Sequence, residues 1–225
     1  MKKFISRSLF IGSCALIGFA CGGGSKSASN VIDDANDAVD EAELETNAET
    51  AFAASDWKDQ TPGEVNSTNS VTISTNVQTS VSTIVSQATA GISATKANKT
   101  TTINHTVNGS AGGTATVTGT YTINTAGAAV YPISYSYDFK IVFKNYKDAS
   151  IAINGEITYK GSSSIPEATS NTTELEINGG YSVLYQNVAY NVVTKLEAKV
   201  TITNSTNVSI TYTYTVNGET YTNKT

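Results

Sequence analysis

Apolar side chains recur at every second position over most of the C-terminal half of the chain, and this alternation constrains the fold more than any other feature. From about Thr100, runs such as Ala115–Ile123, Ile133–Phe143 and Ile151–Tyr159 place apolar residues on one side and mostly polar residues on the other. A period of two is typical of a strand with one buried face, because successive side chains point to opposite faces. The sequence therefore predicts about seven or eight strands of roughly 8 to 15 residues.

Asn-Gly pairs and short connections predict how these strands are joined. Asn108–Gly109 and Asn217–Gly218 lie at the ends of runs, where such pairs are the strongest short signal for a hairpin. Asn154–Gly155 and Asn178–Gly179 lie inside runs, where glycine marks a bend or a close approach. The apolar parity changes at Gln186–Asn187, which predicts a tight turn or a bulge. Because no helix-length crossover separates the runs, neighbouring strands are expected to be antiparallel.

A meander with one apolar face must close on itself or be covered by another element. We therefore predict a mainly β fold, in which an antiparallel meander closes into a small barrel or half-barrel. Before it, five apolar residues share one helical face and predict a helix over residues 75–90: Val77, Val81, Ile84, Val85 and Ala88. A pair of strands is the alternative for this segment. A membrane-spanning barrel with its apolar face outward is the alternative for the meander.

Charge is distributed unevenly along the chain. Residues 31–59 contain ten acidic side chains and one basic side chain, whereas residues 60–225 contain nine of each. The acidic part is interpreted as a helical or disordered stalk or spacer over residues 31–65, followed by a β-rich domain over residues 66–225. Its acids lack the spacing and the glycine of a helix-loop-helix calcium site. Without a basic stripe for phosphate groups, nucleic-acid binding is not expected.

The N-terminus has the organisation of an export signal. Met1–Arg7 carries three basic residues and no acid, and Ser8–Ala20 is an apolar run interrupted only by small polar residues. That run has the length of a signal peptide and is too short for a membrane-spanning helix. Cys21 follows it and begins a Gly/Ser-rich tether over residues 21–30, which would let a domain stand off a membrane.

The segment from Leu16 to Cys21 resembles the lipobox of bacterial lipoprotein precursors, in which the cysteine becomes the acylated first residue of the mature protein. Gly18 and Phe19 depart from that pattern, and Cys14 is a competing cysteine. The resemblance implies removal of residues 1–20 as a signal peptide and lipid attachment at Cys21. It also implies an exported protein anchored in the cell envelope, at the outer membrane with a periplasmic or surface face.

The body of the chain resembles, loosely, the β-rich envelope lipoproteins of unassigned function. The residues that carry this resemblance are the strand-turn patterns from Asn108 to Tyr121 and from Phe143 to Ile157. Patterns of this kind imply a shared architecture and no particular activity.

Residues that carry enzymatic chemistry are few. His105 is the only histidine, and it lies in an alternating run without a Gly-x-Ser-x-Gly elbow. Glu174 with Glu176, or Glu156 with Glu197, could supply the two carboxylates of a glycosidase, but the first pair lies on a polar strand face typical of solvated acids. The histidine, cysteine and carboxylate clusters of a zinc site are lacking. The sequence therefore predicts no catalytic residue, no metal and no cofactor, and the chain is expected not to be an enzyme.

Tyrosine is the residue type whose placement points to binding. All 12 tyrosines lie at or after Tyr121, and nine of them fall on the alternating apolar faces: Tyr121, Tyr135, Tyr137, Tyr159, Tyr181, Tyr185, Tyr190, Tyr212 and Tyr214. Aromatic rings in a barrel can line a ligand cavity, with hydroxyl groups that orient the ligand. They are also ordinary core residues and cross-strand partners.

Two functions follow as hypotheses. The first is a non-enzymatic, lipid-anchored envelope protein with a structural or protein-interaction role, whose Thr-rich faces or sheet edge contact a partner. The second is a carrier of an apolar ligand or lipid in a tyrosine-lined barrel or half-barrel, similar to lipocalins or periplasmic lipoprotein carriers. A barrel filled by its own side chains would exclude the carrier.

Overall fold

The computed structural model describes residues 35–66, 68–90, 92, 99–125, 133–167, 169–204 and 207–224, which form two helices and one sheet of eight strands. The elements are α1 (Ala35–Ala53), α2 (Ser70–Thr89), β1 (Lys99–Asn108), β2 (Gly112–Thr125), β3 (Ile133–Lys147), β4 (Ala152–Glu167), β5 (Ser170–Tyr185), β6 (Val188–Thr203), β7 (Asn207–Val216) and β8 (Glu219–Lys224). The predicted β-rich fold is confirmed. The helix predicted over residues 75–90 is confirmed as α2, which begins earlier, at Ser70.

Each strand pairs with the next one along the chain, and all seven pairings are antiparallel. In the part of the chain that the structure describes, β1 and β8 do not pair with each other. The meander is therefore an open, half-barrel-like sheet, which is one of the two forms that the alternation predicts.

Two-residue turns join β5 to β6 and β7 to β8. Gln186 and Asn187 have φ values of 50° and 63°, and Asn217 and Gly218 have values of 45° and 78°. Positive φ at both central residues is the geometry of the type I′ turn, whose twist matches that of the flanking strands. The change of parity at Gln186–Asn187 is thus a tight hairpin turn, one of the two structures predicted there.

The sheet has two different faces. We call the face that carries the main core the inner face and the other the outer face. Helix α2 lies on the inner face against β1 and β2. Its apolar stripe, which includes Val77, Val81 and Ile84, is buried in one cluster with inward residues of the strands such as Ile141 and Val183. The helix therefore covers the apolar face that an open meander would expose to water.

Helix α1 and the loop after it pack on the outer face, against β4, β5 and β6. Ala48, Ala51 and Trp57 are buried, and the Trp57 indole N–H donates a 2.8 Å hydrogen bond to Ser182 Oγ. Gly180 lets the helix approach, since a Cβ there would lie 1.9 Å from the carbonyl oxygen of Leu44. The second half of the segment interpreted as a stalk or spacer is therefore packed against the sheet.

Candidate functional site

Five of the nine predicted tyrosines are buried on the inner face, each between 1% and 8% exposed: Tyr121, Tyr135, Tyr137, Tyr159 and Tyr181. Four of these rings contact one another across strands, Tyr121 with Tyr135 and Tyr137 with Tyr159. The Tyr137 ring stacks on Tyr159 at 5.3 Å and on Phe139 at 5.6 Å, and Tyr121 stacks on Tyr135 at 6.4 Å. Offset stacks at these distances stabilise a core by about 0.5–1.5 kcal/mol each beyond the area that they bury. These rings thus serve as cross-strand core packing.

Glycines opposite the rings make room for them. A Cβ at Gly161 would lie 2.5 Å from Cζ of Tyr137, which is its register partner on β3. Gly119 is the register partner of Phe139. An aromatic ring that covers a strand glycine fills the space that the missing side chain leaves. The space beside Tyr137 is therefore occupied by the protein itself.

The other predicted positions are less enclosed or lie outside the described side chains. Tyr185 and Tyr190 are half-buried and pack against the main core from its rim. Tyr212 and Tyr214 belong to β7, but their side chains lie outside the described part of the chain. Cys21, the predicted site of lipid attachment, also lies outside the described residues.

One buried tyrosine of the inner face was missed by the alternation. The register of β3 against β4 shifts between Phe143 and Tyr146, because a bulge inserts Lys144 and Asn145 opposite a single residue, Asn154. Tyr146 therefore returns to the inner face, where it is buried and packs edge-on against Phe143. Two aromatic residues three positions apart at the end of an alternating run were the available signal.

Burial controls the ionisation of the inner tyrosines. Desolvation raises the pKa of Tyr181 to about 12, although the hydroxyl of Thr194, 2.8 Å away, partly opposes this by stabilising the phenolate. Desolvation also raises the pKa of Tyr121 to about 12, with a smaller contribution from neighbouring Tyr135. Burial, followed by the charge of Asp148, raises the pKa of Tyr146.

These shifts predict that alkali destabilises the fold. Between pH 10 and about 12 an unfolded tyrosine loses its proton while folded Tyr181 keeps it, so the free energy of unfolding falls as the pH rises. A rise of the pKa from 10 to about 12 corresponds to a loss of about 3 kcal/mol in the free energy of unfolding for a fully buried group. Denaturant unfolding measured from pH 9 to 12 should show this fall, and Tyr181→Phe should flatten it. Absorbance titration in which every tyrosine of the folded protein has its midpoint near pH 10 would contradict the assignment.

A groove of about 440 Å³ lies on the outer face between α1 and the β3 bulge, lined by Asn47, Thr50, Ala51, Ala54, Val142, Phe143, Lys144, Asn145, Asn154, Gly155, Glu156 and Gly180. Asn145, at φ 48°, accepts a hydrogen bond from the Asp56 N–H and donates its own N–H to Asn154 Oδ1, both at 3.0 Å. The Asn154 amide donates to the carbonyl of Ala51. These two amides therefore tie α1 and its loop to the sheet.

The carboxylates considered for acid–base chemistry lie on the neighbouring strands β4, β5 and β6, where Glu176 and Glu197 are register partners. Glu174 and Glu176 lie on the outer face of β5. Glu174 forms an ion pair with Lys199 at 2.8 Å, and Glu176 accepts a hydrogen bond from the Asn178 amide at 2.6 Å. Glu156 pairs with Lys140 at 2.7 Å on neighbouring strands. Glu174, Glu176 and Glu156 are engaged in surface ion pairs or hydrogen bonds, and of the four carboxylates considered Glu156 alone lines the groove.

His105 is exposed on the edge strand β1. Among the described residues, no three histidine, cysteine, aspartate or glutamate side chains are grouped as metal ligands would be. A search of the same residues finds no helix with the length and apolar character to cross a membrane. No protein-family model, curated protein or solved structure matches this chain.

Proposed function

We propose that the protein is a non-enzymatic, lipid-anchored component of a bacterial cell envelope with a structural or protein-interaction role. The observation that carries the proposal is the packing of aromatic rings on one another at the inner face. Tyr137, Phe139 and Tyr159 stack there on one another, and α2 packs on the same face beside them. An interior occupied by its own side chains favours recognition at outer surfaces and strand edges over a carried ligand.

The anchor belongs to the same proposal and rests on the sequence around Cys21. Several acyl chains on one cysteine hold a protein at a membrane stably, whereas a single chain binds only marginally. The Gly/Ser residues that follow Cys21 would separate the bilayer from α1 and the sheet.

The experiment is intact-mass analysis of the full chain, expressed in a bacterial host and extracted from its membranes. We expect a chain that starts at Cys21 and carries covalent acyl groups. Cys21→Ala should abolish the acyl mass, whereas Cys14→Ala, the matched control, should retain it. Acylation that survives Cys21→Ala would contradict the anchor.

The carrier is tested in the same preparation. Native mass spectrometry should show the acylated chain with no non-covalent apolar compound in stoichiometric amount. A co-purified lipid would instead favour the second candidate function, the carrier. For that candidate the supporting observation is that Tyr185 and Tyr190, beside the turn between β5 and β6, remain half-buried.

A further inference from the structure

The edge strand β1 is long, regular and without the features that usually protect an edge. It pairs with β2 over ten consecutive positions without a register shift. Its sequence contains no proline and one charged residue, Lys99, at its first position. Natural edges are commonly blunted by charges, prolines, bulges or short length. At the opposite edge of the sheet, β8 has six residues.

The other side of β1 carries no strand among the residues that the structure describes. The inner face beside it is covered by α2, whereas the outer side chains of Thr100, Thr102, Asn104 and Thr106 are exposed. An edge of this kind presents a row of backbone N–H and C=O groups that can pair with another strand. The accessible part of β1 is therefore its edge, its outer side chains and His105.

We propose that β1 pairs with β1 of a second copy of the chain, antiparallel and about a two-fold axis, so that two sheets form one continuous sheet. This names the partner for the interaction role proposed above and rests on that role. An antiparallel edge pair is isologous, because both copies contribute the same strand. It also closes both exposed β1 edges at once.

The position of Lys99 restricts the register of this pairing. Inner-face residues of one copy must lie opposite inner-face residues of the other. The two-fold axis therefore passes between one residue and the same residue of the second copy. An axis at Ile103 would place the Lys99 ammonium opposite apolar Val107, and an axis at His105 would oppose two histidines. An axis at Asn104 leaves Lys99 beyond the paired region and pairs the Asn104 residues of the two copies.

Threonine pairs between β1 and β2 show the type of cross-strand contact that this register would also form between the two copies. On the outer face the hydroxyl oxygens of Thr100 and Thr122 lie 3.0 Å apart, and those of Thr106 and Thr116 lie 3.1 Å apart. With the axis at Asn104, Thr102 of each copy lies opposite Thr106 of the other. Cross-strand threonine pairs of this type stabilise neighbouring strands.

The first test is disulfide formation in the full chain, in bacterial membranes under mild oxidation, read on non-reducing gels. Asn104→Cys should form a covalent dimer, since its Cα atoms would lie about 5 Å apart. Thr100→Cys should not, because its copies would be about 27 Å apart along the strand. Thr120→Cys on β2 should not, because its copies would be three strand spacings, about 14 Å, apart across the sheet and a further ~14 Å apart along the strands. The unsubstituted chain controls for Cys14 and Cys21.

The second test reverses charge at the axis. Two differently tagged full-length copies are co-expressed and one is purified through its tag. Copies that both carry Asn104→Glu, or both Asn104→Lys, should associate about tenfold more weakly than the unsubstituted chain, because like charges meet. A Glu copy with a Lys copy should restore association. Thr120→Glu, exposed on the same face of β2, should leave association unchanged.

The inference is overturned if Asn104→Cys gives no dimer, or if it cross-links no better than Thr100→Cys. It is equally overturned if paired Asn104→Glu copies associate as the unsubstituted chain does. Acylation at Cys21 together with either result would leave the anchored envelope protein in place and remove only the self-pairing. Loss of acylation with intact cross-linking would remove the lipid anchor and leave the self-pairing in place.

Discussion

Replacing Gly180 with valine is expected to separate α1 from the outer face of the sheet and to expose Trp57 to solvent. A Cβ at position 180 would lie 1.9 Å from the carbonyl oxygen of Leu44 and 2.7 Å from its carbonyl carbon. These are backbone atoms of α1, so no side-chain rotation relieves the collision and the helix itself must move. Loss of the buried indole alone would lower the free energy of unfolding by about 3–5 kcal/mol.

The chain contains a single tryptophan, which makes this result direct to read. Trp57 is 3% exposed and hydrogen-bonded to Ser182, so its fluorescence emission should shift to longer wavelength in Gly180→Val. Gly218→Ala is the control, because its Cβ would meet only the Glu41 carboxylate, at 3.9 Å. The left-handed turn would cost about 1–2 kcal/mol there and leave the emission unchanged. An unshifted emission in Gly180→Val would contradict the described contact.

Replacing Phe139 with alanine is expected to lower the free energy of unfolding by about 3–5 kcal/mol. The ring is fully buried, stacks on Tyr137 and lies across from Gly119, which has no side chain to fill the vacated space. The cavity would therefore persist, and its volume adds to the lost transfer free energy. Denaturant unfolding followed by both Trp57 emission and far-ultraviolet circular dichroism measures the change.

Lys140→Ala is the matched control, one residue further along the same strand. Its side chain points to the outer face and pairs with Glu156 at 2.7 Å, with the two side chains 50% and 43% exposed. An exposed ion pair of this kind contributes about 0–1 kcal/mol. Equal costs for Phe139→Ala and Lys140→Ala would refute the assignment of Phe139 to the core.

The strands were predictable because each has one apolar face, and period two is then a local property of the sequence. Leu175, Ile177 and Tyr181 alternate on β5 and all lie in the main core. The turn at Gln186–Asn187 was predictable for the same reason, since a change of parity has few structural solutions. The alternation could not decide whether the sheet closes, because closure depends on contacts between β1 and β8, distant in sequence.

The docking of α1 left almost no sequence signal. Its close contacts use small residues, since Ala51 lies against Gly155 and the backbone of Leu44 lies against Gly180, and small residues add little to a hydrophobic pattern. Trp57 lies among acidic residues, which point to a solvated segment. Close approach of two backbones is a tertiary property, so the charge pattern of the segment does not reveal it.

The tyrosines show the same limit at the predicted ligand-lining positions. Parity correctly placed rings such as Tyr137 and Tyr159 on the inner face, yet the same parity is compatible with a lined cavity or a packed stack. Only the cross-strand register, which sets Tyr137 beside Gly161, distinguishes the two. The bulge at Asn145 hid Tyr146 because it interrupts the period by one residue.

The sequential strand order has a consequence for how such a sheet assembles and changes length. Every strand pairing in the sheet joins strands that are adjacent in the chain. Paired strands are therefore close in sequence, and the contact order of the sheet is low for a β protein. A hairpin such as β7–β8, closed by its own two-residue turn, is a self-contained unit at the end of the series. Gain or loss of a terminal hairpin leaves every other strand pairing unchanged, so this sheet can gain or lose strands without a change in its strand order.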